Sequence, residues 1–267
     1  MNRMRGGFLA ILVLAALVIA GCTTPLEPND TGETTPVTTG PAEAGQTQNV
    51  SDAGEKEEIL GRFAVTVTDE AADLGQVSSI SMQVESIRLH NATAGWQELS
   101  FTPKTIDLAQ LRQDAAELPL VDTYVAEGAY DRIELVFSNP TVVDAAGAQS
   151  ATMPSTEFTV TTNLTVTMDA AAVVRFDFLA DQSLFVTQNG EYVIAPVANV
   201  TAFSGVGVIS IGENQVDIGG GTVTGQETVG MNADGTVQPG GGIPPEATLV
   251  VEDGQVRAVS GSGNQTG

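Results

Sequence analysis

Cysteine, histidine and tryptophan occur once each in the 267 residues, as Cys22, His90 and Trp96. A single cysteine rules out an intrachain disulfide and a cluster of thiolate ligands, so the fold must be held by burial alone. A single histidine confines zinc chemistry, or a Ser-His-Asp triad, to whatever assembles around His90. Ser155 is the tempting partner, but Pro154-Ser155 is more simply a turn entering a strand at Phe158 and Val160. Basic residues are scarce as well, 10 against 33 acidic ones, for a formal net charge of −23. Such a balance repels nucleic acid and anionic headgroups alike. The N-terminal apolar run Phe8–Ala20 has 13 residues, short of the ~20 that a membrane-spanning helix needs.

That run has another use. Arg3 and Arg5 precede it, and Val18-Ile19-Ala20-Gly21-Cys22 follows with small residues at the point of cleavage. This is the pattern of a lipoprotein signal: residues 1–21 are removed, and the sulfur of Cys22 carries a diglyceride-type lipid that ties the chain to the membrane. Loss of Arg3 and Arg5 takes the formal charge from −23 to −25. Six of the eleven asparagines stand in Asn-X-Ser/Thr triplets, Asn29, Asn49, Asn91, Asn163, Asn199 and Asn264, where chance predicts roughly two. The excess suggests N-glycosylation, although a Thr-rich β protein also makes such triplets by accident. Lipidation and sequons agree on the outer face of a prokaryotic cell membrane, with a lean toward an archaeal one.

Composition then divides the mature chain. Residues 22–59 are rich in Thr, Pro and Glu and hold no aromatic residue. They offer too little apolar surface to offset the entropy of ordering, and are expected to form a disordered tether. From 60 to 202 the pattern alternates with period two, as in Phe63/Val65/Val67, Ile133/Leu135/Phe137 and Val174/Phe176/Phe178. The alternation Ile80/Met82/Val84 slips by one before Ile87/Leu89, which predicts a β-bulge at Glu85-Ser86. Ala145-Ala146-Gly147 is read as a turn, and Asn189-Gly190 as a primed-type hairpin turn. Only Leu108–Leu118 is expected to be helical, with Leu108, Leu111 and Ala115 on one face and Pro119 as its stop. The fold class expected is all-β, an antiparallel two-sheet sandwich, with Trp96 and Tyr130 packed in its core or at its edge. Residues 203–267 hold 16 of the 29 glycines. They are expected to form a small appended Gly-rich β module, including a hairpin about Asp253-Gly254 and a disordered end after Gly261.

Several blocks within Gly61–Val200 resemble a family of prokaryotic lipoprotein domains, the domain-of-unknown-function family 4382. They are Arg62-Phe63-Ala64-Val65-Thr66-Val67-Thr68-Asp69, Val84-Glu85-Ser86-Ile87-Arg88-Leu89-His90, Gly95-Trp96 and Thr105-Ile106-Asp107-Leu108-Ala109-Gln110-Leu111. Further along come Glu127-Gly128-Ala129-Tyr130-Asp131-Arg132-Ile133, Met153-Pro154-Ser155, Val174-Arg175-Phe176-Asp177-Phe178 with Asp181 and Ser183, and Asn189-Gly190-Glu191-Tyr192-Val193-Ile194-Ala195-Pro196-Val197. The family usually shows a proline soon after the opening Asp; here Asp69 is followed by Glu70-Ala71-Ala72. The resemblance implies a secreted, membrane-anchored, transthyretin-like sandwich, and it implies no activity.

Carboxylates are the remaining candidates for chemistry. Asp69, Glu70 and Asp73 follow the first strand and could donate oxygens to Ca²⁺ as part of a Ca-dependent adhesion module. Asp177 and Asp181 flank another strand. A carboxylate-dependent hydrolase of surface carbohydrate would need two carboxylates ~5–10 Å apart in a cleft. Asp107 and Asp177 sit in apolar sequence, and if buried they need a partner such as Arg88, Arg132 or Arg175. The pattern favours a non-enzymatic binding or envelope-organising module with no cofactor. Its expected partners are the membrane, through Cys22, and an unidentified surface protein or glycan.

Overall fold

The computed structural model describes residues 58–69 and 74–259. These belong to a unit spanning residues 55–267. The chain opens with β1 (Leu60–Asp69), β2 (Ser79–Asn91), β3 (Gly95–Glu98) and β4 (Lys104–Asp107), then α1 (Leu108–Asp114). There follow β5 (Leu118–Ala126), β6 (Gly128–Asp144), β7 (Gly147–Thr152), β8 (Glu157–Val166) and β9 (Ala171–Phe178). After the one-turn α2 (Ala180–Ser183) come β10 (Leu184–Val186), β11 (Tyr192–Ile194), β12 (Val197–Ile211), β13 (Val216–Met231), β14 (Val237–Pro239), β15 (Thr248–Glu252) and β16 (Gln255–Val259).

Two sheets pack face to face, as expected for an all-β sandwich. The first runs β14-β13-β12-β9-β1-β5; the second runs β10-β11-β7-β6-β2-β3, with β4 beside β2 and β8 beside β6. The pairing is antiparallel apart from β1 with β9 and β7 with β11, which are parallel. Alternating side chains drive the packing: Phe63, Val65 and Val67 from one sheet meet Ile80, Met82, Ile87, Leu89, Ile133 and Leu135 from the other. At the centre Phe137, Phe158, Phe176 and Phe178 interlock, with ring centroids 6.1–6.5 Å apart. Each such ring contributes about 1.5–3 kcal/mol by burial, with roughly a further 0.5–1.5 kcal/mol per favourable ring pair.

The bulge lies where the slipped alternation puts it. The pairing of β2 with β6 shifts register between Val84 and Ser86, leaving Glu85 exposed while Ile80, Met82, Val84, Ile87 and Leu89 all stay inside. Asp253 and Gly254 both take positive φ, 52° and 75°, as a two-residue hairpin of the primed type requires. At Asn189-Gly190 only Gly190 does, with φ 82°. There Gly190 N–H bonds Thr187 C=O and Thr187 N–H bonds Glu191 C=O. The connection is therefore a three-residue loop closed by a glycine bulge, not the primed two-residue turn expected.

The helix is shorter than its apolar spacing suggests. α1 ends at Asp114, Ala115 turns left-handed at φ 48°, and Leu118 already belongs to β5. Ala116 N–H bonds Leu111 C=O across this turn. Ala115 is thus exposed, and Ala116 takes the inward place. Asp107 caps the helix start by accepting from Gln110 N–H at 3.3 Å.

The boundary drawn at 202/203 falls inside β12, a strand that pairs with β9 on one side and β13 on the other. The glycine-rich residues therefore extend the first sheet instead of forming an appended module. Their glycines bend the β12–β13 hairpin. Register shifts occur after Ala202 and Val206, and Gly205, Gly220 and Gly221 take φ of 69°, 75° and 85°. The tip folds back over the outer face of the sheet, so that Arg62 donates to Ile209 C=O at 3.3 Å and Glu117 N–H to Asn214 C=O at 3.2 Å. Under it lies a second small core of Ala64, Ala171, Val173 and Val206, packed against Phe203, Ile209, Ile211 and Ile218. That cover explains why β9 begins with the unbroken buried run Ala171–Val174. The β15–β16 hairpin is a separate two-stranded sheet whose Leu249 and Val256 join the main core.

Candidate functional site

The outer face of the second sheet collects the rare residue types. Pairing places His90 between Trp96 on β3 and Arg132 on β6, and Arg88 between Glu98 and Glu134 in the next row. The inward partners Ile87, Leu89, Ile133 and Leu135 fix this outward set by alternation. Once the register is set, each polar side chain has a cross-strand neighbour.

The resulting lattice is dense. His90 Nδ1 lies 2.5 Å from Asp131 Oδ1, and the Arg132 guanidinium lies 3.2 Å from both ring nitrogens. The ring thus stands between a carboxylate at Nδ1 and a guanidinium shared by both nitrogens. The hydrogen bond from His90 holds the Asp131 carboxyl below the usual carboxylate range. Trp96 meets the His90 ring edge at 5.0 Å, with Arg88 and Arg132 at 5.6 and 5.5 Å from its centroid. Arg88 also holds Glu134, which is 4% exposed and accepts from Thr159 at 2.8 Å. Trp96 is not in the core: it stands on the edge strand β3, packed on His90 and still 41% exposed among these cations.

This lattice bears on the chemistry weighed from sequence. His90 Nε2 faces a guanidinium, and the Ser155 hydroxyl is occupied in a local turn with the backbone of Glu157. The three arginines named as partners for Asp107 or Asp177 serve other groups. Arg175 forms a two-point pair with Glu117 at 2.8–2.9 Å, which Thr66 joins at 2.6 Å, beneath the folded-back hairpin. Asp107 instead accepts from Ser79 Oγ at 2.6 Å and from backbone N–H groups. Asp177 is half-buried, with Asn199 Nδ2 3.4 Å away. A 180 Å³ cleft is lined by two carboxylates, Asp107 and Asp114; the first caps α1 and the second accepts from Gln110. A larger cleft of 470 Å³, between α2 and the Gly240–Pro245 segment, has Asp181 at its lip and Leu184, Phe185 and Pro244 as apolar wall.

Asp69, one of the calcium candidates, is buried at the end of β1; Glu70 and Asp73 lie outside the described residues. So do Cys22, Asn29, Asn49 and Asn264, the tether as far as residue 57 and the end after Gly261. The three remaining sequons differ sharply. Asn163 is exposed on β8 and lines a 270 Å³ cleft with Thr161, Gly225 and Glu227. Asn91 is half-buried in the β2–β3 turn, its Oδ1 accepting from Thr93 and Ala94 N–H at 2.8 and 3.1 Å. Asn199 lies near the start of β12, between β9 and β13, with its amide hydrogen-bonded to Asp177 and Thr228.

The cation–aromatic lattice escaped the sequence reading, because Arg88 and Glu134 are 46 residues apart and only register brings them together. One signal was there: Arg88 and His90 alternate with Ile87 and Leu89, as Arg132 and Glu134 do with Ile133 and Leu135. No curated protein and no solved structure matches the chain. Residues 60–196 match the family described as a domain of unknown function, DUF4382, more than half of the chain, and the protein belongs to that family.

Proposed function

We propose that this protein is a surface lipoprotein whose sandwich acts by binding or organising the envelope, not by catalysis. The observation that carries this reading is the lattice around Trp96, where the groups fit for chemistry are engaged with one another and an aromatic ring is left exposed. A hydrogen-bonded array of this kind is preorganised for recognition, whereas general acid–base work needs a group with access to substrate. The lipid on Cys22 and the strong negative charge suit a head held outside the cell. Among the described sequons, Asn163 is the one best presented for sugar.

Mass spectrometry of the native protein, extracted from its own membranes, tests the reading. The expected result is an N-terminal Cys22 bearing lipid mass, with glycan on Asn163. Retention of residues 1–21 with a free thiol overturns it. Calcium-dependent adhesion is the second reading, favoured by the buried Asp69 preceding Glu70 and Asp73. Specific binding raises stability by mass action, so a melting temperature of the mature chain that ignores added Ca²⁺ removes it.

A further inference from the structure

Nine large apolar side chains among the described residues stand exposed, and their placement is uneven. Four are valines, Val186, Val208, Val223 and Val259; the other five are Ile59, Leu60, Trp96, Tyr124 and Met168, each 41–65% exposed. Pairing brings those five to one end of the sandwich. Leu60 faces Ala126 and Arg62 faces Tyr124. Ile59 C=O accepts from Glu127 N–H, and the Met168 N–H donates to the Glu127 carboxylate. Asn91 pairs with both Gly95 and Tyr130, which sets the Trp96 row beside the start of β6.

We propose that this end docks on a lipid surface. Tryptophan and tyrosine, apolar in body and polar at the tip, favour the membrane–water interface, and Ile59, Leu60 and Met168 supply the apolar remainder. Part of the scarce positive charge also lies here. Arg62, Arg88 and Arg132 are three of the seven basic side chains among the described residues. Arg62 is paired with Asp122, Arg88 with Glu134, and Arg132 with the His90 ring, so these cations offset part of the carboxylate charge at this end, where Glu98, Glu127 and Asp131 also stand. The proposal rests on the lipid anchor at Cys22, since the described chain begins at this same end. The 35 residues between Cys22 and Glu58 span about 125 Å at most, which keeps the head within reach of its own membrane.

Trp96 is the sole tryptophan and reports on this face directly. The protein to use is the mature chain from residue 22 carrying Cys22→Ser, titrated with vesicles of zwitterionic phosphatidylcholine, plain or brominated on the acyl chains. The expected result is a shift of Trp96 emission to shorter wavelength and quenching by the bromines. Leu60→Asp and Tyr124→Ser, checked for unchanged circular dichroism, should each weaken vesicle binding about tenfold. Emission that ignores millimolar lipid overturns the proposal. So does a shift that grows with protein concentration and no lipid, which would assign the face to a second copy, and so does a glycan on Asn91 in the turn at this end. A bare Cys22 thiol in the native protein would remove the anchor while leaving the vesicle result standing, so the two failures are distinguishable.

Discussion

Glu134 carries a charge in a place where charge is costly. It is 4% exposed on the outer side of a sheet, roofed by Arg88 and Thr159. Removing one partner of a buried pair leaves the other charge desolvated, at ~3–5 kcal/mol. Arg88 is itself one-third exposed, so water can replace part of it. Arg88→Met is therefore expected to cost about 2–3 kcal/mol in urea unfolding. The double variant Arg88→Met with Glu134→Leu should return to within about 1 kcal/mol of the parent. A single variant as stable as the parent would show that the pair is ornamental. The acidic limb of the stability profile is also set by individual carboxyls. Asp131, Asp144 and Asp234 are held below the usual carboxylate range, by hydrogen bonds from His90, Tyr192 and Thr236 respectively. A depressed folded pKa contributes stability that is present above the unfolded value, near ~3.9, and is lost as pH falls through the folded one. In the other direction, burial raises the Tyr130 phenol, and the bond to Asp144 raises that of Tyr192. Their contribution is complete below about pH 10 and is lost as pH rises through the folded values. Melts between these limits should form a plateau. Asp144→Asn should weaken both shoulders, because the Tyr192 hydroxyl loses its anionic acceptor.

Backbone conformation sets what can be gained or lost in single elements. Ala115 ends α1 in the left-handed region, where glycine is the usual occupant and a side chain costs roughly 1 kcal/mol. Ala115→Gly is expected to raise stability by about 0.5–1 kcal/mol, read as a higher urea midpoint. Gly221 is the opposite case. Its φ is 85°, and a Cβ there would lie 2.9 Å from Val206 Cγ2 and 3.2 Å from Ser204 C=O. Gly221→Ala should cost about 1–3 kcal/mol and loosen the β12–β13 hairpin first. Faster hydrogen exchange at Val173 and Arg175, beneath the hairpin, would show this. The same two elements mark how far the sequence could be read. Periodicity located β1, β2, β6 and β9, and the slipped register at Glu85, because alternation is written locally in Ile80, Met82, Val84, Ile87 and Leu89. It overran α1 because nothing in Ala115-Ala116 announces a left-handed residue. It cut β12 at residue 202 because glycines at 205, 207, 219, 220 and 221 read as the start of a separate module, whereas here they bend two strands, β12 and β13, of a sheet that continues. Likewise the outward Arg, His and Trp residues were visible one by one. Their meeting depended on a pairing of β2 with β6 that no local pattern encodes.

At the scale of the molecule, burial on both sides of the first sheet replaces the disulfides that this chain lacks. One side is closed by the phenylalanine core and the other by the folded-back hairpin. The order of strands in that sheet has a further result, and it concerns time. β1 is the first strand among the described residues, yet it lies inside the sheet, between β5 and β9. Its parallel neighbour ends at Phe178, 109 residues after Asp69. At ribosomal speeds of about 5–20 residues per second, the leading strand waits roughly 5–20 s for that neighbour to be synthesised. Until then neither the sheet nor the core can close, and the nascent polypeptide emerges without a finished tertiary structure. If the chain is exported as proposed, that delay keeps it open enough to thread a narrow translocation pore: the topology itself postpones compaction until Phe178 has been made.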